Sequence, residues 1–212
     1  MLHIMAILVL LGATEPATAG SWTLQPEESL VYVRVYKDES TVLSGQAHNH
    51  VIRATGWKGM VRFDPEHPKK CLISALFPVH GLRADEDDLR KKVGLKGTLS
   101  TGDQSKVEKN MTASNQLDME GHAFIRFKAT KCSLGPKPGH LSATARLTVR
   151  GKTFKTSIPV SFQLAEGVLQ ASGSFEATHA DFGLKPYSAM LGAVANREEL
   201  SFTFQIVAAR KN

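Results

Sequence analysis

The feature that most constrains this chain is an alternation of apolar and polar residues, with a period of two, through much of its C-terminal half. Leu141, Ala143, Ala145, Leu147 and Val149 alternate with Ser142, Thr144, Arg146, Thr148 and Arg150. Ile158, Val160, Phe162 and Leu164 alternate with Ser157, Pro159, Ser161 and Gln163. Leu169, Ala171, Gly173, Phe175 and Ala177 form a third such run, and Leu200, Phe202, Phe204 and Ile206 a fourth. Successive side chains of a strand point to opposite faces, so each run has one apolar and one polar face. Antiparallel sheets with one solvated side read this way; a helix would need apolar residues three and four apart.

Gly151-Lys152 and Glu166-Gly167 fall where tight turns should join these runs. Residues 30–36, 51–63, 71–79 and 124–130 also read as strands, which brings the total to about eight. All the apolar faces can share one interior, and closing a sheet on itself removes its edges. The pattern therefore predicts an all-β fold, an antiparallel β-barrel in preference to an open sandwich. Pro159, on a polar-face position, predicts an edge, a bulge or a corner.

Residues 84–119 interrupt the pattern. Asp85, Glu86, Asp87 and Asp88 precede Leu89 and Arg90-Lys91-Lys92, the charge order that a helix dipole favours. Asp103 is expected to cap a second helix carrying Val107 and Met111. This helical insertion is expected to cap a barrel mouth; a lid over a ligand cavity is the sharper alternative.

Composition sets the remaining bounds. The 212 residues are 42% hydrophobic and 22% charged, enough for one ordinary cored domain and too apolar for a disordered chain. The net charge is +6, but basic residues are spread over polar faces, and the run Arg90-Lys91-Lys92 follows four acids. A nucleic-acid partner is not expected. Residues 4–11 are an unbroken apolar run of eight, followed by Gly12, Pro16 and the small-x-small triplet Ala17-Thr18-Ala19. That layout predicts a secretory signal peptide over residues 1–19 and a mature domain over 20–212. In an exported protein Cys71 and Cys132, the two cysteines of the chain, either pair across the fold or remain free, and spacing alone does not choose.

Chemistry motifs are scarce. The chain has no GxSxG nucleophile elbow, no Walker loop, no GxGxxG and no HExxH. His48-Asn49-His50 can place two imidazoles on one face of an extended segment, with His80, His122 or His179 as a third ligand. That arrangement would suit a metal- or haem-associated redox accessory or enzyme. The other reading of these histidines is that they satisfy backbone groups near a turn. The small residues Ala143, Ala145, Ala171, Gly173 and Ala177 on apolar faces either leave room for a slender ligand or interdigitate in a filled core, as in a structural or stress-induced envelope module.

Four stretches, in chain order, resemble the YceI family. Ser44 to Ile52 (SGQAHNHVI) resembles its SGxAHxH opening. Gly121 to Phe127 (GHAFIRF) is similar to its PxIxF strand, with Ala123 where Pro is usual. Arg146 to Lys152 (RLTVRGK) resembles its LTIRG strand and turn. Asp181 to Leu184 (DFGL), with Pro186, Tyr187, Ser188 and Gly192, resembles its DFGI…PFS…G segment.

The resemblance implies a lipocalin-like antiparallel β-barrel around a long apolar tunnel, in the periplasm. It also implies a polyisoprenoid-type or quinone-like amphiphile as ligand, and no catalytic role or cofactor. On that reading Ala143, Ala145, Leu147, Phe162, Ala171, Gly173, Phe175, Phe202 and Phe204 line the tunnel. His48, His50, Asp181 and Tyr187, polar groups in the matched stretches, line its mouth. A carrier of this kind is expected to touch membranes transiently.

Overall fold

The computed structural model describes residues 19–64 and 66–210. Its strands are β1 (Gly20–Leu24), β2 (Leu30–Lys37), β3 (His50–Ala54), β4 (Lys58–Phe63), β5 (Leu72–Pro78), β6 (Leu82–Ala84), β7 (Phe124–Leu134), β8 (His140–Val149), β9 (Lys152–Ala165), β10 (Val168–Thr178), β11 (Ser188–Ala189) and β12 (Val194–Arg210). Two helices, α1 (Asp87–Lys92) and α2 (Thr101–Thr112), lie between β6 and β7. The leader expected over residues 1–19 lies, apart from Ala19, outside the described residues.

All recorded strand pairings are antiparallel. The order β1-β4-β5-β7-β8-β9-β10-β12 closes on itself because β12 pairs back with β1, so eight strands make a complete barrel. The long β12 serves both halves of the wall. Its C-terminal end meets β1 through Ala208, Ala209 and Arg210, while residues 196–205 meet β2. Beyond β2 the sheet continues to β3 and β6. Thus β1/β2, β3/β4 and β5/β6 are consecutive halves of three broken strands, and the topology is an up-and-down meander.

The breaks explain where the sequence pattern was too coarse. Residues 51–63 read as one strand, but Gly56 takes a left-handed φ of 62° and divides β3 from β4. The short strands β1 and β6 were not expected at all. Two hairpins close with two-residue turns in which both residues are left-handed: Arg150 and Gly151, then Glu166 and Gly167. The first turn lies one residue earlier than expected, because Lys152 already belongs to β9.

Pro159 marks a corner. The pairing of β9 with β10 starts at Val160, opposite Gly173, and Pro159 next to it has no N–H to continue the ladder. Phe182, from the short turn Ala180–Phe182, packs where the two strands part. Its ring meets Phe154 at 5.8 Å and Phe202 at 6.1 Å, both edge-on. Elsewhere Trp22, Trp57, Phe63 and Ile158 anchor the core. Cys71 and Cys132 form a disulfide with Cα atoms 5.8 Å apart, tying the start of β5 to β7.

The insertion is helical as expected, with a different cap. The Ser100 hydroxyl accepts the Asp103 backbone N–H at 3.1 Å and donates to the Asp103 carboxylate at 2.7 Å. Ser100 is therefore the N-cap, and Asp103 is the third helical residue.

Candidate ligand-binding cavity

The barrel encloses a cavity of about 370 Å³, within the range of small-molecule sites. Leu24, Val61, Phe63, Phe77, Leu141 and Phe162 form part of its apolar wall. Phe175 stacks on Phe202, its partner on the neighbouring strand, with centroids 4.7 Å apart, whereas Phe63 of β4 meets Phe162 of β9 edge-on at 5.4 Å from the opposite side of the barrel.

Of the expected tunnel residues, Leu147, Phe162, Ala171, Phe175, Phe202 and Phe204 line this cavity. Ala143, Ala145 and Gly173 do not. Ala143 and Ala145 are buried in the cluster around Trp22, Phe63, Cys71 and Cys132, and Ala143 is the strand partner of Cys132. Their small size accommodates that packing. At Gly173 the space of a Cβ is already taken: a Cβ would lie 2.5 Å from the Pro159 carbonyl oxygen and 2.6 Å from the Phe204 ring. This glycine lets the β9 corner and Phe204 close in.

Polar groups collect at one end, beneath α2. Val107, Asn110 and Met111 of α2, with Gln116 and Leu117 just after it, contribute to the lining. Residues 107 and 111 are the apolar pair that the sequence placed on one helix face. The Asn110 amide donates to the Tyr187 hydroxyl at 3.3 Å, and the Gln116 amide to the Lys185 carbonyl at 3.2 Å. On its other side α2 is fastened to the barrel. The Glu108 carboxylate accepts the Ala84 N–H at 3.0 Å, and the Gln104 amide donates to the Asp85 carbonyl at 2.9 Å. Glu108 thereby satisfies part of the edge of β6.

The four expected mouth residues divide evenly. His50 and Tyr187 face the cavity. His48 is exposed and lies outside the lining. Asp181 is also excluded, because its carboxylate caps a turn, accepting from the Thr178 N–H at 2.7 Å and hydroxyl at 2.9 Å. The matched DFGL stretch is thus architectural here: Asp181 caps, Phe182 fills the seam, and Gly183 takes the left-handed φ of 66°.

A buried ion cluster stands behind His50. The His50 Nδ1 lies 2.6 Å from Asp85 Oδ2. The other carboxylate oxygen, Oδ1, accepts from Arg90 Nη1 at 2.7 Å and from the Val51 N–H at 3.1 Å. Asp85 is wholly buried and Arg90 nearly so. The guanidinium also donates to the carbonyls of Asn49, Gly97 and Lys96. Burial pushes the Asp85 carboxyl up, but the hydrogen bond and charge of His50, the Val51 N–H and Arg90 outweigh it and hold it below its ordinary value. Sequence reading placed Asp85 among the leading acids of α1. It instead precedes the helix, with a left-handed φ of 56°, and points inward. His179, Asn196, Asn110 and Gln116 are further lining residues that no mouth motif marked.

Among the described residues the histidines do not converge as ligands. Among the described residues the one grouping with metal-ligand spacing is Asp64, Glu66 and His67, on the surface and apart from His48 and His50. The His179 ring sits 3.0 Å from the Glu198 carbonyl, a backbone-satisfying role.

A closed eight-stranded antiparallel barrel with an apolar cavity, polar at one end, defines a lipocalin-like class of protein. Residues 22–208 match the YceI-like domain model, and the chain belongs to that family. Solved structures agree at the level of fold. Burkholderia cenocepacia BcnA is 13% identical with a TM-score of 0.62, covering 87% of this chain and 98% of that one. A polyisoprenoid binding domain from Saccharophagus degradans, implicated in plant cell wall breakdown, is 9% identical with a TM-score of 0.58, covering 90% and 98%. The Campylobacter jejuni YCEI protein is 11% identical with a TM-score of 0.52, covering 76% and 84%. No curated protein matches the chain.

Proposed function

We propose that this protein binds a single amphiphile with a polyisoprenoid-type tail, quinone-like or polyprenyl, and carries or sequesters it in the periplasm without chemical change and without a cofactor. The observation that carries this reading is the cavity itself: an apolar hollow inside a closed barrel, with its polar side chains gathered at the α2 end. A tail entering it gains about 0.8 kcal/mol per buried methylene, so roughly a dozen buried carbons outweigh the entropy costs of binding. The head is left at the polar end. Membership of the YceI-like family and the binding named for the Saccharophagus degradans domain support the same ligand class.

The open interior weighs against a filled-core envelope module. The redox or enzymatic alternative built on His48 and His50 has no converging ligand set among the described residues. Loading would occur at a bilayer. Val42, Met190 and Leu191 are strongly exposed apolar side chains on two loops joined by the Leu43 N–H to Ala193 carbonyl bond. The second loop is the tip of the β11–β12 hairpin, which rises from the cavity residues Tyr187 and Asn196. Such a tip can enter the headgroup region beside the cavity's polar end. Native mass spectrometry of gently purified protein tests the binding: a bound amphiphile is expected, and a bare polypeptide mass opposes it.

A further inference from the structure

His50 is one of the polar side chains of the cavity wall, and its orientation is fixed by a bond to a buried carboxylate. Asp85 Oδ1 already performs the structural task, holding Arg90 and the Val51 N–H. The backbone of Asp85 is also tied, its N–H to the Val51 carbonyl at 2.8 Å and its carbonyl to Gln104. Docking α1 onto β3 therefore needs Asp85 and Arg90 but not His50. Oδ2 is left to the imidazole.

An ionised carboxylate accepts hydrogen bonds and cannot donate them. Whenever His50 is neutral, such a carboxylate keeps its proton on Nδ1, in the way that carboxylates fix the tautomer of histidines at binding sites. Nε2 then carries a lone pair. It has no hydrogen-bond partner among the described residues, and the ring belongs to the cavity lining. An acceptor at the cavity wall without a protein donor can be satisfied by a ligand proton.

We propose that His50 Nε2, aligned by Asp85 as a positioning residue, selects ligands whose head carries a hydroxyl: a prenol or phenol in preference to an ether, a ketone or a bare hydrocarbon. This rests on the carrier reading and names the head chemistry that the carrier accepts. Tyr187, whose hydroxyl receives the Asn110 amide, keeps its own O–H as a donor at the same end.

The test compares two probes of one tail, geranylgeraniol and its methyl ether, by direct titration. The wild-type protein is expected to bind the alcohol about tenfold more tightly, the scale of one well-formed hydrogen bond. His50→Leu should bring the alcohol-to-ether ratio to about one, His50→Gln should restore part of it, and Asp85→Asn should lower it. A ratio that survives His50→Leu overturns the clamp and leaves the carrier standing. Failure of the wild-type protein to bind either probe overturns both. Nitrogen-15 NMR of the wild-type protein needs no variant to fold: the Nε2 resonance of His50 should report a lone pair and move with the alcohol but not with the ether. Equal movement with both, or with neither, overturns the proposal.

Discussion

Asn110 on α2 donates to the hydroxyl of Tyr187 across the polar end of the cavity, at 3.3 Å and 77 residues away in sequence. With the parallel bond from Gln116 to the Lys185 carbonyl, it joins the helical insertion to the segment ahead of β11. These bonds are exposed and individually worth little. They are the recorded side-chain bonds between the helical insertion and residues 185–187, so losing them should ease opening at this end. Replacing both Asn110 and Gln116 by Ala should speed release of a bound lipid about threefold to tenfold in stopped-flow exchange. Thermal stability should change little, as is usual for exposed positions. Unaltered release would mean that ligands leave by another route.

The disulfide closes a long loop, since Cys71 and Cys132 are 61 residues apart. Cross-linking such a loop constrains the unfolded chain by about 4 kcal/mol on the chain-entropy estimate. Cys71→Ser with Cys132→Ser should therefore lower unfolding stability by about 2–5 kcal/mol in denaturant titration. A loss below about 1 kcal/mol would show that the unfolded chain is already compact there.

Asp85 should give the protein an acid-side weakness. Its folded carboxyl is held below its unfolded value, so in the interval between the two the unfolded state binds more protons. Its contribution is complete above the unfolded value, about 3.9, and disappears as pH falls through the folded one. Denaturant titrations from pH 7 to pH 2 should show wild type losing more stability below about pH 4 than Asp85→Asn does. Parallel curves would contradict the assignment.

Met190 and Leu191 both hold left-handed backbone, with φ of 52° and 55°, while exposing large apolar side chains. Replacing both by Ser should slow lipid transfer to phosphatidylglycerol-containing vesicles about tenfold or more, the scale set by burying two such side chains in an interface. Binding of lipid dispersed in detergent should not change. An equal loss in detergent would place the defect in the cavity and not at the membrane.

The barrel was legible because period two is a local signal. The runs in β8, β9, β10 and β12 appear in the chain as they appear in space. What lay beyond sequence reading depended on depth and on distant partners. Alternation shows that Ala143, Ala145 and Ala171 share the inner face. It does not show that the first two are packed beside the Cys71–Cys132 bridge while the third meets the hollow. Of the four polar residues chosen through their motifs, His50 and Tyr187 line the cavity and His48 and Asp181 do not, since a motif records the presence of a residue and not its direction. Asp85 looked like one more helix-leading acid. Its burial is decided by Arg90, Val51 and His50, brought together only when β3, β6 and α1 assemble.

The hollow itself is the point on which the carrier reading depends, and it is open to direct measurement. Ala171 lines the cavity and Ala145 does not, so the two substitutions by Phe should separate. Ala171→Phe fills the cavity and should fold, whereas Ala145→Phe overpacks a site with 1% exposure and should be destabilised. Native mass spectrometry of gently purified wild type and Ala171→Phe, compared side by side, is the decisive experiment. Wild type should carry the mass of one amphiphile, and the folded variant should have lost most of it. A bare wild-type mass, or full occupancy in Ala171→Phe, would contradict lipid binding in this barrel.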